Sequence, residues 1–176
     1  LLKSPNPFIP LEYKSLSMVE ELEARLMDLE RKVSNISYDK YMKLYIFLCI
    51  TGLKPVFEKT TSIGYRNSDI RTIIYDSKKT EWMLKLKGSA LIISLNQINI
   101  KLQKSIEIII PPKTGLEVTI KRYRERTSFH SDTYQVDLTK VTTEYPNSTM
   151  PIIEYEAEIE YTDKTLNTIK RSFITL

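Results

Sequence analysis

The sequence has few of the residues on which several common kinds of site depend. Its 176 residues include one cysteine, Cys49, and one histidine, His130. A lone cysteine excludes an internal disulfide, and no spacing of cysteine and histidine fits a zinc site. A single histidine in a predicted hairpin loop gives no basis for a Ser-His or Cys-His catalytic system. We therefore expect neither a zinc site nor a catalytic triad in this chain.

Glycine and long apolar runs are scarce as well. Only 4 glycines are present, and none belongs to a glycine-rich loop of the kind that holds phosphates. The nearest candidate for a membrane span, residues 41–51, is much shorter than the roughly 20 residues that such a helix needs. The first residues show no secretory pattern. We therefore expect an intracellular, reducing location: the cytoplasm or nucleus, or the virion or host cytoplasm for a viral protein.

What is present fits one globular domain. The chain is long enough to bury a core, and it is 41% hydrophobic and 27% charged. We expect an extended arm over residues 1–14, which contain three prolines, and a single domain over residues 15–176. The net charge of +4 favours anionic partners only mildly, so the arrangement of the charges is more informative than their sum.

The residue pattern predicts an α+β fold in which the sheet dominates. Isoleucine, threonine, valine and tyrosine are common between residues 63 and 141, with the short polar interruptions typical of hairpins. We place strands near residues 68–75, 81–87, 90–95, 98–101, 105–110, 116–129, 133–141 and 152–161.

Helix signals surround one dense apolar run. Ser37 precedes residues 38–51 as a polar N-cap, and Gly52 follows them as a residue able to end the helix. We expect the apolar side chains of this helix to pack in the core: Leu44, Ile46, Phe47, Leu48 and Cys49. A second helix is predicted near residues 166–173 from the spacing of their apolar residues.

Charged residues alternate with other residues in three places. They are the acids Glu21 and Glu23, the bases Arg122, Arg124 and Arg126, and the acids Glu156, Glu158 and Glu160. Because side chains alternate between the faces of a strand, each string would place its charges on one side of a sheet. Carboxylates gathered in a protein interior repel one another unless cations lie among them. A metal ion and a polyanionic substrate would balance both kinds of charge.

Residues 19–33 support two structures. Apolar residues recur there at the three- and four-residue steps of an amphipathic helix: Val19, Leu22, Leu26, Leu29 and Val33. Periodicity alone therefore predicts a helix. In a helix Glu21 and Glu23 would point about 200° apart, whereas in a strand they would share a face.

Several segments, taken in order, resemble the motifs of a known family. Residues 122–129 (RYRERTSF), 135–141 (QVDLTKV) and 155–161 (YEAEIEY) are similar to three consecutive motifs of the metal-dependent RNA 5′-triphosphatases. Residues 21–26 (ELEARL) resemble that family's first acidic strand, and residues 37–48 (SYDKYMKLYIFL) resemble the helix after it. This group lies within the triphosphate tunnel metalloenzymes and includes the messenger-RNA capping enzymes of fungi, protists and large DNA viruses. The resemblance favours a strand at the start of residues 19–33.

The resemblance implies a fold and an activity. The fold is an eight-stranded antiparallel barrel around a charged tunnel, with a few packed helices. The activity is that of an mRNA-capping RNA 5′-triphosphatase, which hydrolyses the γ-phosphate of triphosphate-ended RNA to leave a diphosphate end, and which also acts on nucleoside triphosphates with Mn²⁺. The implied partners are the RNA 5′ end and a guanylyltransferase or methyltransferase, on the same parent chain or on a separate subunit.

The resemblance also assigns roles to individual residues. The ligands of Mn²⁺ or Mg²⁺ would be Glu21, Glu23 and Glu160. Glu158 would orient the attacking water, and Glu156 would hold a basic residue of the wall. The γ-phosphate would be held by Arg71, Arg124 and Arg126, with Arg122 in the same basic strand. Asp137 and Thr139 would brace these arginines.

Some assignments stay open. Lys85 and Lys87 both fit one substrate-binding lysine of the middle strands, and Lys101 is a looser candidate for another. Glu154 extends the last acidic string in phase, so a two-residue shift would make Glu158 rather than Glu160 the metal ligand. Arg124 stands where the family commonly has lysine, which changes the reach and geometry of that contact.

Other functions are compatible with the same residues. A tunnel enzyme could act on free tripolyphosphate or nucleoside triphosphate, and a non-catalytic module could hold an RNA end or a polyanion within a capping complex. Without the resemblance, each alternating string is typical of the solvated face of a strand. No Lys-x-Asp-Gly nucleotidyl-transfer motif is present in the chain.

Overall fold

The barrel predicted for this chain is confirmed. The structure is a computed structural model that describes residues 8–28, 34–95 and 98–161. Its eight strands are β1 (Met18–Met27), β2 (Pro55–Tyr65), β3 (Ile70–Tyr75), β4 (Thr80–Leu95), β5 (Ile98–Ile110), β6 (Val118–His130), β7 (Tyr134–Glu144) and β8 (Ile152–Tyr161). They pair antiparallel in the order β1-β5-β4-β3-β2-β6-β7-β8, and β8 closes the ring on β1. A 3₁₀ turn (Leu11–Tyr13) precedes β1, and the helix α1 (Tyr38–Ile50) follows it.

The segment that supports two structures is a strand. β1 pairs with β5 over its whole length, from Met18 opposite Ile108 to Met27 opposite Asn99. The helix predicted by periodicity is wrong, because pairing to a strand on each side satisfies the backbone of β1 and outweighs its helix propensity. The later part of that segment, residues 29–33, lies outside the described residues.

Two pairs of predicted strands are each a single long strand. Residues 81–87 and 90–95 both belong to β4, and residues 98–101 and 105–110 both belong to β5. The register of β4 against β5 shifts between Lys87, which lies opposite Ser105, and Ala90, which lies opposite Gln103. This β-bulge adds one residue to β4, and the Gln103 side chain donates a 3.0 Å hydrogen bond to the carbonyl of Gly88 within it.

Most of β2 is not predicted from the sequence. Its residues, PVFEKTTSIGY, begin with a proline, and the first five are exposed. The pattern is weak because the strand has charges and hydroxyls where an amphipathic strand would have an apolar face. In the barrel that polar face points inward, toward other charged residues.

The predicted helix α1 is confirmed, but its burial is not. Ser37 accepts a 3.3 Å hydrogen bond from the backbone N–H of Lys40, and Gly52 has φ +80° after the last turn. Leu48 is buried, whereas Phe47 is 63% exposed. The prediction that the apolar side chains of α1 pack in the core was therefore wrong for three residues, which are exposed: Ile46, Phe47 and Cys49. The helix covers the barrel with one face only.

The apolar core lies outside the barrel rather than within it. One cluster packs Tyr13 of the 3₁₀ turn against the outer faces of β4 and β5, including Leu84 and Ile108. A second cluster packs Leu48 of α1 with Phe129 and Leu138. These contacts stabilise the wall from outside and leave the lumen free for charged side chains.

No helix within the described residues is both long and apolar enough to cross a membrane. The helix predicted near residues 166–173 falls outside the described part of the chain, as do residues 1–7 of the predicted arm.

Gly64 allows close packing beside the lumen, and this gives a test of the wall. A Cβ at Gly64 would lie 2.5 Å from Ile120 Cγ2. We expect Gly64→Ala to lower the free energy of unfolding by about 1–3 kcal/mol, as overpacked sites do. Ile120→Ala should remove most of that cost when the two are combined. Urea unfolding of the parent, both single variants and the double variant measures the coupling, and simple additivity would contradict the predicted clash.

Candidate active site in the barrel lumen

The lumen is a small cavity with charged walls. Its volume is about 160 Å³. Six acids and five bases line it: Glu21, Glu23, Glu58, Glu107, Glu158 and Glu160, with Arg25, Arg71, Lys85, Arg124 and Arg126. Small barrels usually fill their interiors with apolar side chains. Charge at this density is costly unless the groups compensate one another, so the pairings among them decide what the lumen can do.

Lys85 connects three carboxylates of the lumen. Its Nζ lies 2.9 Å from Glu21 Oε2, 2.8 Å from Glu23 Oε1 and 2.8 Å from Glu107 Oε1. Burial alone would lower the pKa of Lys85, but the surrounding carboxylates raise it above its ordinary value. Burial likewise works to raise the pKa of Glu23, yet Lys85 and Arg25 lower it overall. Both groups therefore stay charged in the lumen.

Glu107 belongs to the site although no motif points to it. Besides Lys85, it forms an ion pair with the guanidinium of Arg71. Burial raises the pKa of Glu107, but Arg71 and Lys85 outweigh this effect and lower it. A signal was available, since Glu107 is the only charged residue in residues 105–110 (SIEIII). A carboxylate in so apolar a strand requires a partner.

Arg25 is a second site residue outside the expected set. Its guanidinium lies 2.5 Å from Glu158 Oε1, 3.2 Å from Glu23 Oε2 and 3.7 Å from Glu156 Oε1. Although burial lowers its pKa, these carboxylates raise it overall. Arg25 follows Glu23 by two residues, so the alternation that places Glu21 and Glu23 inward also places Arg25 inward.

Arg126 is braced from the neighbouring strand β7. Its Nη1 lies 3.2 Å from Asp137 Oδ2, and its Nη2 lies 3.7 Å from Glu158 Oε2. Asp137 is fully buried and accepts two hydrogen bonds from Gln135 Nε2, at 2.8 and 3.0 Å. Thr139 is fully buried directly opposite Arg126. Asp137 therefore fixes the orientation of the Arg126 guanidinium.

Arg124 differs from the other lumen cations. It forms no ion pair with any described residue, and its buried Nε has no hydrogen-bond partner among them. Burial lowers its pKa to about 10, and the nearby charges of Arg71 and Arg126 act in the same direction. A guanidinium held in this way remains charged near neutral pH and lacks an anion.

Three carboxylates gather on β7 and β8. One oxygen each of Asp137, Glu158 and Glu160 lies within 4.8 Å of the others. Burial raises the pKa of Glu158. Burial, with the charges of Asp137 and Glu21, raises the pKa of Glu160 to about 7. Oxygen donors this close together suit a hard divalent cation.

The chain resembles known capping enzymes in both sequence and fold. Residues 91–174 match the family described as mRNA capping enzyme, beta chain. This match covers a little under half of the chain. It agrees with the enzyme class that the resemblance implies, a hydrolase of the RNA 5′-triphosphate.

Solved structures support the same barrel for this chain. The Pct1 RNA triphosphatase of S. pombe matches with a TM-score of 0.69 at 17% identity, over 90% of this chain and 81% of that one. The RNA triphosphatase domain of a trifunctional mimivirus mRNA capping enzyme matches with a TM-score of 0.60 at 16% identity, over 93% and 89%. A triclinic structure of the mimivirus capping-enzyme triphosphatase gives 0.56 at 17% identity, over 89% and 87%. No curated protein matches the sequence.

The remaining expected residues lie away from the central ion pairs. Lys87, Lys101 and Arg122 form no ion pair within the described ranges. Glu154 accepts a 2.7 Å hydrogen bond from Asn35 Nδ2, near the end of the lumen. Glu160 lies opposite Glu23 on β1, so this register places Glu160 beside the expected metal ligands of the first strand.

The raised pKa of Glu160 makes the stability of the protein depend on pH. In a chelator, Glu160 is protonated in both states below its ordinary pKa of 4.5. As the pH rises toward 7, the unfolded chain loses this proton before the folded one, so Glu160 lowers the free energy of unfolding until its folded pKa is passed. We expect Glu160→Gln to match the parent near pH 4 and to be more stable by about 2 kcal/mol at pH 8.

Urea unfolding in EDTA at several pH values measures this difference. Glu154→Gln, which changes a hydrogen-bonded carboxylate on the same face of β8, is the matched control. An advantage of Glu160→Gln that is equal at pH 4 and pH 8 would contradict the assignment.

Proposed function

We propose that this protein is an RNA 5′-triphosphatase of the capping type, which uses its lumen to release the γ-phosphate of triphosphate-ended RNA in a reaction that requires a divalent cation. The observation that carries the proposal is Arg124, a buried guanidinium that lacks an anion beside a cluster of carboxylates. A terminal phosphate supplies that anion, and the carboxylates supply the site of a cation and a base. Phosphoryl transfer needs cations on the phosphate oxygens and a group that positions the attacking nucleophile.

The basic side of the lumen holds the γ-phosphate. Arg124 has donors free, whereas Arg71 is anchored by Glu107, and Arg126 is anchored mainly by Asp137. Anchored guanidiniums keep their remaining N–H groups aimed into the lumen, which reduces the entropy lost when phosphate binds. Their charge neutralises the equatorial oxygens as the bond to the β-phosphate breaks.

Glu158 orients and deprotonates the attacking water. It is 2% exposed, and its two oxygens face Arg25 and Arg126, which fix its position from either side. Burial raises its pKa, as suits a group that accepts a proton during the reaction. The water oxygen bonds to the γ-phosphorus, the bond from that phosphorus to the bridging oxygen breaks, and RNA leaves with a diphosphate end. The proton of the water passes to Glu158.

The acids of the lumen fit a divalent cation. Glu160 would hold Mn²⁺ or Mg²⁺ together with Glu21 and Glu23, the ligands that the family resemblance implies. Lys85, 2.8–2.9 Å from two of these carboxylates, shows that this part of the lumen accommodates positive charge. Asp137 and Glu158 form a second possible set with Glu160. When bound, the cation would supply charge for the phosphate oxygens of the substrate.

The groups that line the lumen are mostly charged, and they suit phosphates rather than bases. We therefore expect hydrolysis of free nucleoside triphosphates as well, in the presence of Mn²⁺. The diphosphate end is the substrate of a guanylyltransferase. The mimivirus relative is part of a trifunctional capping enzyme, which supports a partner of that activity, on the parent chain or on another subunit.

Removal of either principal catalytic group should abolish turnover without unfolding the barrel. We expect Glu158→Ala and Arg126→Ala to lower the rate of γ-phosphate release from labelled RNA by at least about 100-fold with Mn²⁺ or Mg²⁺. The assay measures released orthophosphate, and circular dichroism checks the fold. Retained turnover in either variant would remove the mechanism.

The controls for these variants lie outside the proposed mechanism. Glu154→Gln keeps the acidic string but changes the residue bonded to Asn35, and Arg66→Ala removes an exposed arginine paired with Glu117. Both should retain turnover. Loss of turnover in Glu154→Gln would favour the register that is shifted by two residues. Protection of triphosphate RNA without phosphate release by the parent would identify a binding module instead.

Direct metal titration separates the two possible ligand sets. Glu160→Gln should weaken Mn²⁺ binding by about 10-fold or more under either assignment, because it removes an anionic ligand. If Glu21 and Glu23 complete the site, Glu21→Gln should weaken binding comparably and Asp137→Asn should change it little. The opposite order would assign the site to Asp137 and Glu158. Calorimetry or Mn²⁺ spin resonance measures the affinity without substrate.

A further inference from the structure

The two ends of the lumen carry opposite charge. Because the strands alternate in direction, the carboxyl end of β4 lies at the same end of the barrel as the amino ends of β5 and β6. Alternation along the strands assigns three cations to the inner face at that end, here named the basic mouth: Lys87, Lys101 and Arg122. The other end, here named the acidic mouth, contains three inward-facing carboxylates: Glu58, Glu81 and Glu160.

The cations of the basic mouth surround its opening. β5 and β6 are four strands apart in a ring of eight, so Lys101 and Arg122 lie on opposite walls. Lys87 lies on β4, beside β5, at the last position before the β-bulge. Burial and the neighbouring charges of Arg25 and Lys101 lower the pKa of Lys87, which is consistent with cations crowded on this wall.

These cations lack the partners that other lumen cations have. None of the three forms an ion pair with another described residue, whereas Lys85 contacts three carboxylates. The acids nearest this end are already engaged. Glu156 lies 3.7 Å from Arg25, and Glu154 accepts a hydrogen bond from Asn35. The basic mouth therefore presents uncompensated positive charge around an opening.

The acidic mouth offers no comparable attraction to a polyanion. Glu81 pairs with Lys79 at 2.6 Å and accepts a 2.9 Å hydrogen bond from Tyr75, while Glu58 lines the lumen nearby. An RNA strand that entered here would carry its phosphates past several carboxylates before it reached Arg124. Each approach of like charges in a narrow channel is unfavourable.

We propose that the RNA strand lies on the basic mouth, with Lys87, Lys101 and Arg122 binding phosphates of the nucleotides that follow the triphosphate. The inference rests on the proposed function and gives the tunnel a direction. The triphosphate passes inward from the basic mouth to Arg124. In-line displacement then places the attacking water on the far side of the γ-phosphate, beside Glu158 and the neighbouring carboxylates of Glu160 and Asp137.

A comparison of substrates with and without a nucleotide chain tests the direction. The double variant Lys87→Ala/Lys101→Ala should raise the KM for a triphosphate-ended RNA of about 20 nucleotides by roughly 10-fold, while the KM for tripolyphosphate changes by less than about 2-fold. The slope of log(kcat/KM) against log salt for RNA should become shallower by about 1.4, the expected loss of two phosphate contacts to a single strand.

The matched control removes two cations near the acidic mouth. Lys78→Ala/Lys79→Ala makes the same change of charge, and it should leave the RNA parameters and the salt slope unchanged. Lys87→Arg/Lys101→Arg, which keeps both charges, should restore the low KM for RNA. Thermal unfolding of each variant excludes a change of fold as the cause.

Each outcome decides the proposal. Equal rises in KM for RNA and tripolyphosphate would mean that the lysines bind the triphosphate itself, and would overturn it. An unchanged KM for RNA, or a loss confined to the control variant, would also overturn it. Turnover by the parent enzyme is measured first, so a parent that releases no phosphate refutes the proposed function and not the direction of entry.

Discussion

The barrel depends on the compensation of charge inside it. Lys85 contributes most to this compensation, because its ammonium contacts three carboxylates. One ammonium joins carboxylates from β1 and β5, so it joins two adjacent strands to β4 through their inner faces. Without such pairings the acids would be buried without partners, at a cost of several kcal/mol for each ion. Because each cation must reach its acids, the charged side chains fix the relative heights of the strands as well as the chemistry of the lumen.

The apolar contribution to stability is correspondingly displaced to the outside. Phe129 and Ile108, both with no exposed surface, pack beneath α1 and beneath the 3₁₀ turn respectively. The outer face of the wall is thus largely apolar and its inner face is polar, which is the reverse of most small barrels. This division separates the two tasks, since the outer clusters hold the strands together while the inner groups can be arranged for phosphate and metal.

Much of this arrangement could be predicted, and the failures have physical causes. The order of the charged motifs predicted the barrel, and alternation predicted which residues of β6 and β8 face inward. Periodicity failed for β1, because leucines spaced as in a helix can also cover the outside of a strand that is paired on both edges. Glu107 belongs to no motif, and Arg25 lies within one without an assigned role; only cross-strand proximity, which a single sequence does not contain, identifies their partners. The exposed Phe47 of α1 shows a related limit of sequence-based prediction. When a helix is apolar on several faces, its sequence does not indicate which face packs against the barrel.

The β-bulge in β4 has a consequence for how this wall is constructed. Before the bulge, odd-numbered residues such as Lys85 and Lys87 face the lumen; after it, the pairing of Ala90 with Gln103 turns even-numbered residues inward. A single extra residue therefore divides one continuous strand into two stretches of opposite phase. Because the bulge absorbs this residue, its deletion would leave the former Ala90 opposite Gln103 in a regular ladder, and the residues beyond it would keep their faces. The strand can thus gain or lose one residue at the bulge while its charged and neutral stretches keep their sides of the wall.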